Sequence, residues 1–139
     1  MGAYGTCFQN YNVNFQLVTE TIVTDCYIVS DNFICFSLGT SEVTTIQLEF
    51  RDLSRCSKEP QFEEKASKIS DIIHSLGKTE GLVPIFINAN SGKFRKSSTI
   101  TFGARGDSYY EYLLKQWIQT GKRVDMYRDD FLEAMKGVN

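Results

Sequence analysis

An arginine and an aspartate two residues apart, set among glycines, make Gly103-Ala104-Arg105-Gly106-Asp107-Ser108 the segment of this chain best suited to chemistry. Glycine lets a ligand approach the backbone closely. Arginine supplies several fixed donors, and a carboxylate can accept sugar hydroxyls or move a proton. At a strand-to-helix junction, Arg105 and Asp107 can point into one concavity. The same residues have a plain structural account, in which Asp107 helps Ser108 cap the helix and Arg105 pairs with an acid. Glu42 is the second candidate. It falls in the first turn of a helix, where the positive helix end alone accounts for a carboxylate. Glu49, two turns on, is expected to be solvated or paired with Arg51 or Arg55. The tripeptide Arg105-Gly106-Asp107 matches an adhesion motif, but it runs straight into an amphipathic helix rather than lying at a mobile loop tip.

Other chemistries find little support. His74 is the single histidine, so a Ser–His or Cys–His scheme would have to use it. Its place at a helix end, beside Gly77 and Lys78, suits a structural cation instead. Cys7, Cys26, Cys35 and Cys56 lack zinc-ligand spacing. They allow a disulfide in a lumenal setting, with the pairing open. A net charge of −2 offers no basic excess for phosphates, which argues against nucleic acid as a partner. No apolar run is long enough to span a membrane, and the N-terminus lacks the pattern of a secretory signal. Met1 to Thr6 fits the loose myristoylation pattern, with Cys7 beside it. Aromatic residues are 13% of the chain; such faces suit sugar rings, although most aromatics serve the core.

The elements that must position these residues follow from periodicity. Tyr11 to Phe36 is rich in Val, Ile, Thr, Phe and Tyr and reads as two or three short strands. Near Gly39-Thr40-Ser41 helical spacing takes over, which divides the chain into 1–41 and 42–139. Thr40 or Ser41 is expected to cap a helix carrying Val43, Ile46, Phe50 and Leu53. A second helix starts near Pro60, carries Phe62, Ala66, Ile69, Ile73 and Leu76, and stops at a left-handed Gly77. Leu82–Ile87 and Thr99–Phe102 read as a hairpin around Asn88–Gly92, with Pro84 marking an edge strand. Ser108 and Glu111 suggest a capping box for a third helix, with Tyr109, Leu113 and Trp117 beside Tyr110, Leu114 and Ile118. A last helix runs from about Asp125 to Lys136, with Tyr127, Phe131 and Met135 on one face and Gly137 as its stop. These stripes are wide enough to need partners on more than one side.

Three blocks in this order resemble glycoside hydrolase family 47, the class I α-1,2-mannosidases, and its endoplasmic-reticulum branch most of all. They are Glu42-Val43-Thr44-Thr45-Ile46-Gln47-Leu48-Glu49-Phe50, Gly81-Leu82-Val83-Pro84-Ile85, and the long run from Phe102 through Gly103-Ala104-Arg105-Gly106-Asp107-Ser108 to Trp117. The resemblance covers Glu42 to about Val138. It implies a mainly α fold, part of an (α/α)7 barrel with a β-hairpin. It also implies a calcium-dependent, inverting hydrolase that trims α-1,2-linked mannose from high-mannose N-glycans in the endoplasmic reticulum or Golgi. By motif match, Asp107 is a catalytic carboxylate with an acid-side role, Arg105 grips the glycan, and Glu42 lines the sugar site. The family's other catalytic carboxylates and its calcium-ligating threonine find no match, and residues 1–41 do not resemble its preceding segment. At 139 residues the chain is therefore read as an internal piece, inactive in isolation. The alternative is a non-catalytic, lectin-like module holding the same glycans.

Overall fold

The computed structural model describes residues 26–29, 32–35, 38–88 and 91–138, the first two ranges as backbone only. The lipidation pattern at the N-terminus and most of the expected strand region lie outside them. Within that region, β1 (Cys26–Val29) and β2 (Asn32–Cys35) pair antiparallel, with Cys26 opposite Cys35.

A second sheet carries the functional segments. Its strands are β3 (Leu38–Gly39), β4 (Phe86–Asn88) and β5 (Lys93–Phe94), with β4 central. Ile87 faces Phe94 across one ladder and Leu38 across the other. The expected hairpin therefore exists but returns earlier, at Lys93–Phe94. Ile100 contributes only an isolated bridge to Pro84. Pro84 lies just ahead of β4, so its missing N–H interrupts no ladder.

The expected first helix is two. Helix α1 (Thr40–Thr44) and helix α2 (Gln47–Ser57) are separated by a bend at Thr45–Ile46. Adjacent threonines favour the break, because the Thr44 hydroxyl donates to the Thr40 carbonyl at 2.7 Å and competes with the backbone ladder. The Gln47 side-chain amide then satisfies the Val43 carbonyl at 2.9 Å. Gly39, rather than Thr40 or Ser41, is the N-cap. Thr40 is buried and donates from both its backbone N–H and its hydroxyl to the hairpin, at Ile85 O and Pro84 O.

Helix α3 (Gln61–Ser75) begins after Pro60 and buries Phe62, Ala66, Ser70 and Ile73. It ends on Leu76 in an extended conformation, so Gly77 is not a left-handed stop. Helix α4 (Asp107–Gln119) buries Tyr109, Tyr110, Leu113 and Gln116. Its N-cap is Gly106, and Ser108 lies inside the helix instead of capping it. The far end closes in a Schellman arrangement: Gly121 N–H reaches Ile118 O and Lys122 N–H reaches Trp117 O, both at 2.9 Å, with Gly121 at φ +66°. Helix α5 (Asp125–Gly137) includes the glycine expected to stop it, and its buried stripe is Tyr127, Asp130 and Ala134.

One core, including Val43, Ile73, Val83, Ile87, Tyr109 and Leu113, joins the sheet to α1, α3, α4 and α5. A smaller one, Phe50, Phe62 and Ala66, serves the α2–α3 pair. Buried charge ties the helix pairs together. Arg51, 2% exposed, binds Glu63 at 2.8 Å, Gln119 Oε1 at 2.6 Å and the Tyr127 hydroxyl at 3.4 Å. Glu49 is thus not its partner, and Arg55 pairs with Asp52. On the outer faces Ile118 stays 62% exposed and Leu132 48%, as stripes too wide for these helices alone require.

Candidate functional site

Two backbone constraints shape the turn that leads into α4. The Gly103 carbonyl accepts from both Gly106 N–H and Asp107 N–H at 3.0 Å. At Gly106 the chain passes so close to the segment before it that a Cβ would lie 2.2 Å from the Thr101 carbonyl oxygen. Between them Arg105 takes φ +70°, a conformation that costs a non-glycine residue of order 1–3 kcal/mol. Such strain persists where surrounding contacts impose it. Here the Arg105 carbonyl accepts from Ser41 N–H at 3.2 Å.

That hydrogen bond joins two of the expected site segments, since Ser41 adjoins Glu42. The Glu42 carboxylate folds back over its own helix start and accepts from Gly39 N–H at 3.1 Å, half of a capping box. A Cβ on Gly39 would lie 2.8 Å from that carboxylate oxygen, so the missing side chain makes the room. Asp107 is the first residue of α4. Its Oδ1 accepts from Ser108 N–H at 2.7 Å and from the Ser108 hydroxyl at 3.3 Å. The helix-terminus account therefore holds for Glu42, and for Asp107 only in that its carboxylate takes a first-turn N–H, since Gly106 and not Ser108 is the cap. The account in which Arg105 pairs with an acid fails. Among the described residues no ion pair engages Arg105, Asp107 or Glu42, and all three are exposed. The Arg105 guanidinium lies over the Phe86 ring, 5.1 Å from its centroid. A guanidinium with no ion pair among the described residues and two carboxylates, each held from one side, can hydrogen-bond a ligand that carries hydroxyls.

Aromatic residues near this turn are mostly core. Tyr109 and Tyr110 are buried, and exposed Phe102 stacks on Tyr110 at 4.3 Å. Burial, then the nearby Asp130 carboxylate, pushes the Tyr109 phenol far above its ordinary range, although its hydroxyl reaches no partner at hydrogen-bonding geometry. A cavity of about 10 Å³ lies between Thr44, Ser70, Tyr109, Gln116 and Asp130, room for about one water and far too small for a sugar. His74 is structural: its Nδ1 lies 2.9 Å from Asp130 Oδ1, which Lys78 Nζ also approaches at 3.3 Å. Among the described residues no three His, Cys, Asp or Glu side chains gather as a metal site. Cys56 is disulfide-bonded, its partner lying outside the described side chains.

The model of glycosyl hydrolase family 47 matches residues 14–139, beginning inside the segment 1–41 that composition sets apart. An endoplasmic reticulum mannosyl-oligosaccharide 1,2-alpha-mannosidase of Homo sapiens is 54% identical over 99 residues, covering 70% of this chain and 14% of its own length. A mannosyl-oligosaccharide 1,2-alpha-mannosidase of Arabidopsis thaliana is 47% identical over 104 residues, covering 72% of this chain and 16% of its own. The chain thus spans about a seventh of the length of the human relative. In three dimensions it resembles an alpha-1,2-mannosidase from Trichoderma reesei, with a TM-score of 0.66 and 24% identity, over 73% of this chain and 22% of that one. This likeness shows the fold: the helix pairs and small sheet are a portion of an (α/α)7 barrel.

Proposed function

Because the chain belongs to glycosyl hydrolase family 47, we propose that it supplies one wall of the active site of a mannosyl-oligosaccharide 1,2-α-mannosidase. The substrate in this reading is terminal α-1,2-linked mannose on high-mannose N-glycans, and the reaction is hydrolysis with inversion. One observation carries the reading. At the turn into α4, Arg105 and Asp107 stand exposed with no ion-pair partner among the described residues, and a backbone hydrogen bond fastens that turn to the helix of Glu42.

In this reading Arg105 and Glu42 hold sugar hydroxyls, the first as donor and the second as acceptor. Asp107 acts on the acid side. Its Ser108 hydrogen bonds engage Oδ1 and leave Oδ2 without a hydrogen bond among the described residues. Inversion needs a second carboxyl across the sugar, roughly 6.5–9.5 Å away, with a water between. Calcium is what the family resemblance implies for the whole enzyme, and no step here depends on it. The endoplasmic reticulum is the proposed compartment, on the names of the relatives and on the disulfide at Cys56, a bond that persists in oxidising compartments. A non-catalytic glycan-binding module has no specific observation in its favour.

Asp107→Asn in the full-length protein that carries this segment tests the assignment. Mannose release should fall about 10²- to 10⁴-fold in kcat, the usual contribution of a group that moves a proton. A fall of less than about threefold in a folded variant would remove Asp107 from the chemistry.

A further inference from the structure

We infer that Phe86 is a positioning residue for the glycan-holding arginine, its ring serving as the platform that aims the Arg105 guanidinium; this rests on the site reading above. The Arg105 guanidinium carbon lies 5.1 Å from the ring centroid of Phe86, inside the range of a cation–π contact. No acid among the described residues competes for it. A planar guanidinium stacks on an aromatic face while its donors stay free in its own plane, which an ion pair would not allow.

The sheet register explains why the platform is placed there. Phe86 on β4 is paired with Gly39 on β3, and cross-strand partners present their side-chain positions on the same face. Phe86 carries Arg105, while the bare position of Gly39 is filled by the Glu42 carboxylate. A two-residue rung thereby floors both proposed sugar-holding groups side by side. The Arg105 backbone is fixed separately, through Ser41, so the ring has only the side chain left to orient. Nothing in the spacing of residues 82–87 marks Phe86 out from a core aromatic.

The test uses the full-length protein with an α-1,2-linked mannobiose as the probe substrate. Phe86→Leu should lower kcat/KM about 3- to 30-fold, the span of cation–π contacts from exposed to desolvated sites. Because the platform aims a binding group, the loss should appear in KM with kcat nearly unchanged. Phe86→Tyr, which keeps the aromatic face, should restore KM. In an Arg105→Met background, where no cation remains over the ring, Phe86→Leu should cost less than about twofold. If Phe86→Leu lowers the melting temperature, Phe86→Met takes its place in the same cycle. An equal loss in the wild-type and Arg105→Met backgrounds would overturn the proposal, as would a loss confined to kcat or a failure of Phe86→Tyr to restore KM. Full activity of Arg105→Ala would instead sink the underlying site reading, so the two failures are distinguishable.

Discussion

Replacing Asp130 by Asn removes one charge from the protein interior while keeping the side chain's shape. Asp130 and Lys78 each have a side chain only 5% exposed, and their charged atoms lie 3.3 Å apart. Lys78 also donates to the His74 carbonyl at 3.0 Å, so its ammonium is held in place even without its counter-ion. Breaking a buried pair from one side costs about 3–5 kcal/mol, because the orphaned charge stays desolvated. With urea slopes of about 1–3 kcal/mol per M, the unfolding midpoint should fall by on the order of 2 M. The informative comparison is the double variant Asp130→Asn with Lys78→Met, which removes the orphan as well and should recover at least about half the loss. Urea titrations of wild type, both single variants and the double complete the cycle. Additivity to within about 0.5 kcal/mol would show that the two charges are not coupled, and the reasoning would fail.

Two further outcomes follow from groups close to the site. The raised Tyr109 phenol, lifted by burial first and the Asp130 carboxylate second, stays protonated in the fold while the unfolded phenol ionises near its ordinary 10.0. Its contribution is therefore complete below about pH 10 and lost as pH rises, by about 1.4 kcal/mol per pH unit. Tyr109→Phe should make the alkaline fall in urea midpoint shallower; because burial also raises Tyr110, a residual slope should remain, and an unchanged slope would refute the account. Gly106→Ala should cost about 1–3 kcal/mol, since its Cβ would sit 2.2 Å from the Thr101 carbonyl. Activity should fall with it, because the turn holding Arg105 must shift. Melting temperature and mannose release of the full-length protein, compared with Gly103→Ala at an exposed and roomier position, check this, and parity between the two variants would count against it.

The helix pairs were legible because apolar spacing repeats within each element, and α3, α4 and α5 lie close to where Phe62, Tyr109 and Tyr127 place them. The turn at Arg105 was legible for a different reason, since glycines beside opposite charges are conspicuous in composition. What escaped was long-range. Asp130 lies 52 residues from Lys78, and Arg51 lies 68 from Gln119, so no local pattern marks either charge as buried. The split between α1 and α2 was hidden because Val43 and Phe50 keep helical spacing across it, while the threonine hydroxyls that favour the break bear no periodicity. Phe86 looked like one more apolar residue in a strand. Its partner Gly39 joins it only through the β3–β4 ladder.

That ladder has only two rungs, Leu38 with Ile87 and Gly39 with Phe86, and it bridges segments nearly fifty residues apart in the chain. Closing so long a loop must come before its few contacts give any return, which places the step late in assembly. A nascent polypeptide whose helices have already coiled would still hold its guanidinium and its carboxylate in separate regions of space. On the function proposed above, the capacity to hold a sugar would arrive only once that loop has closed.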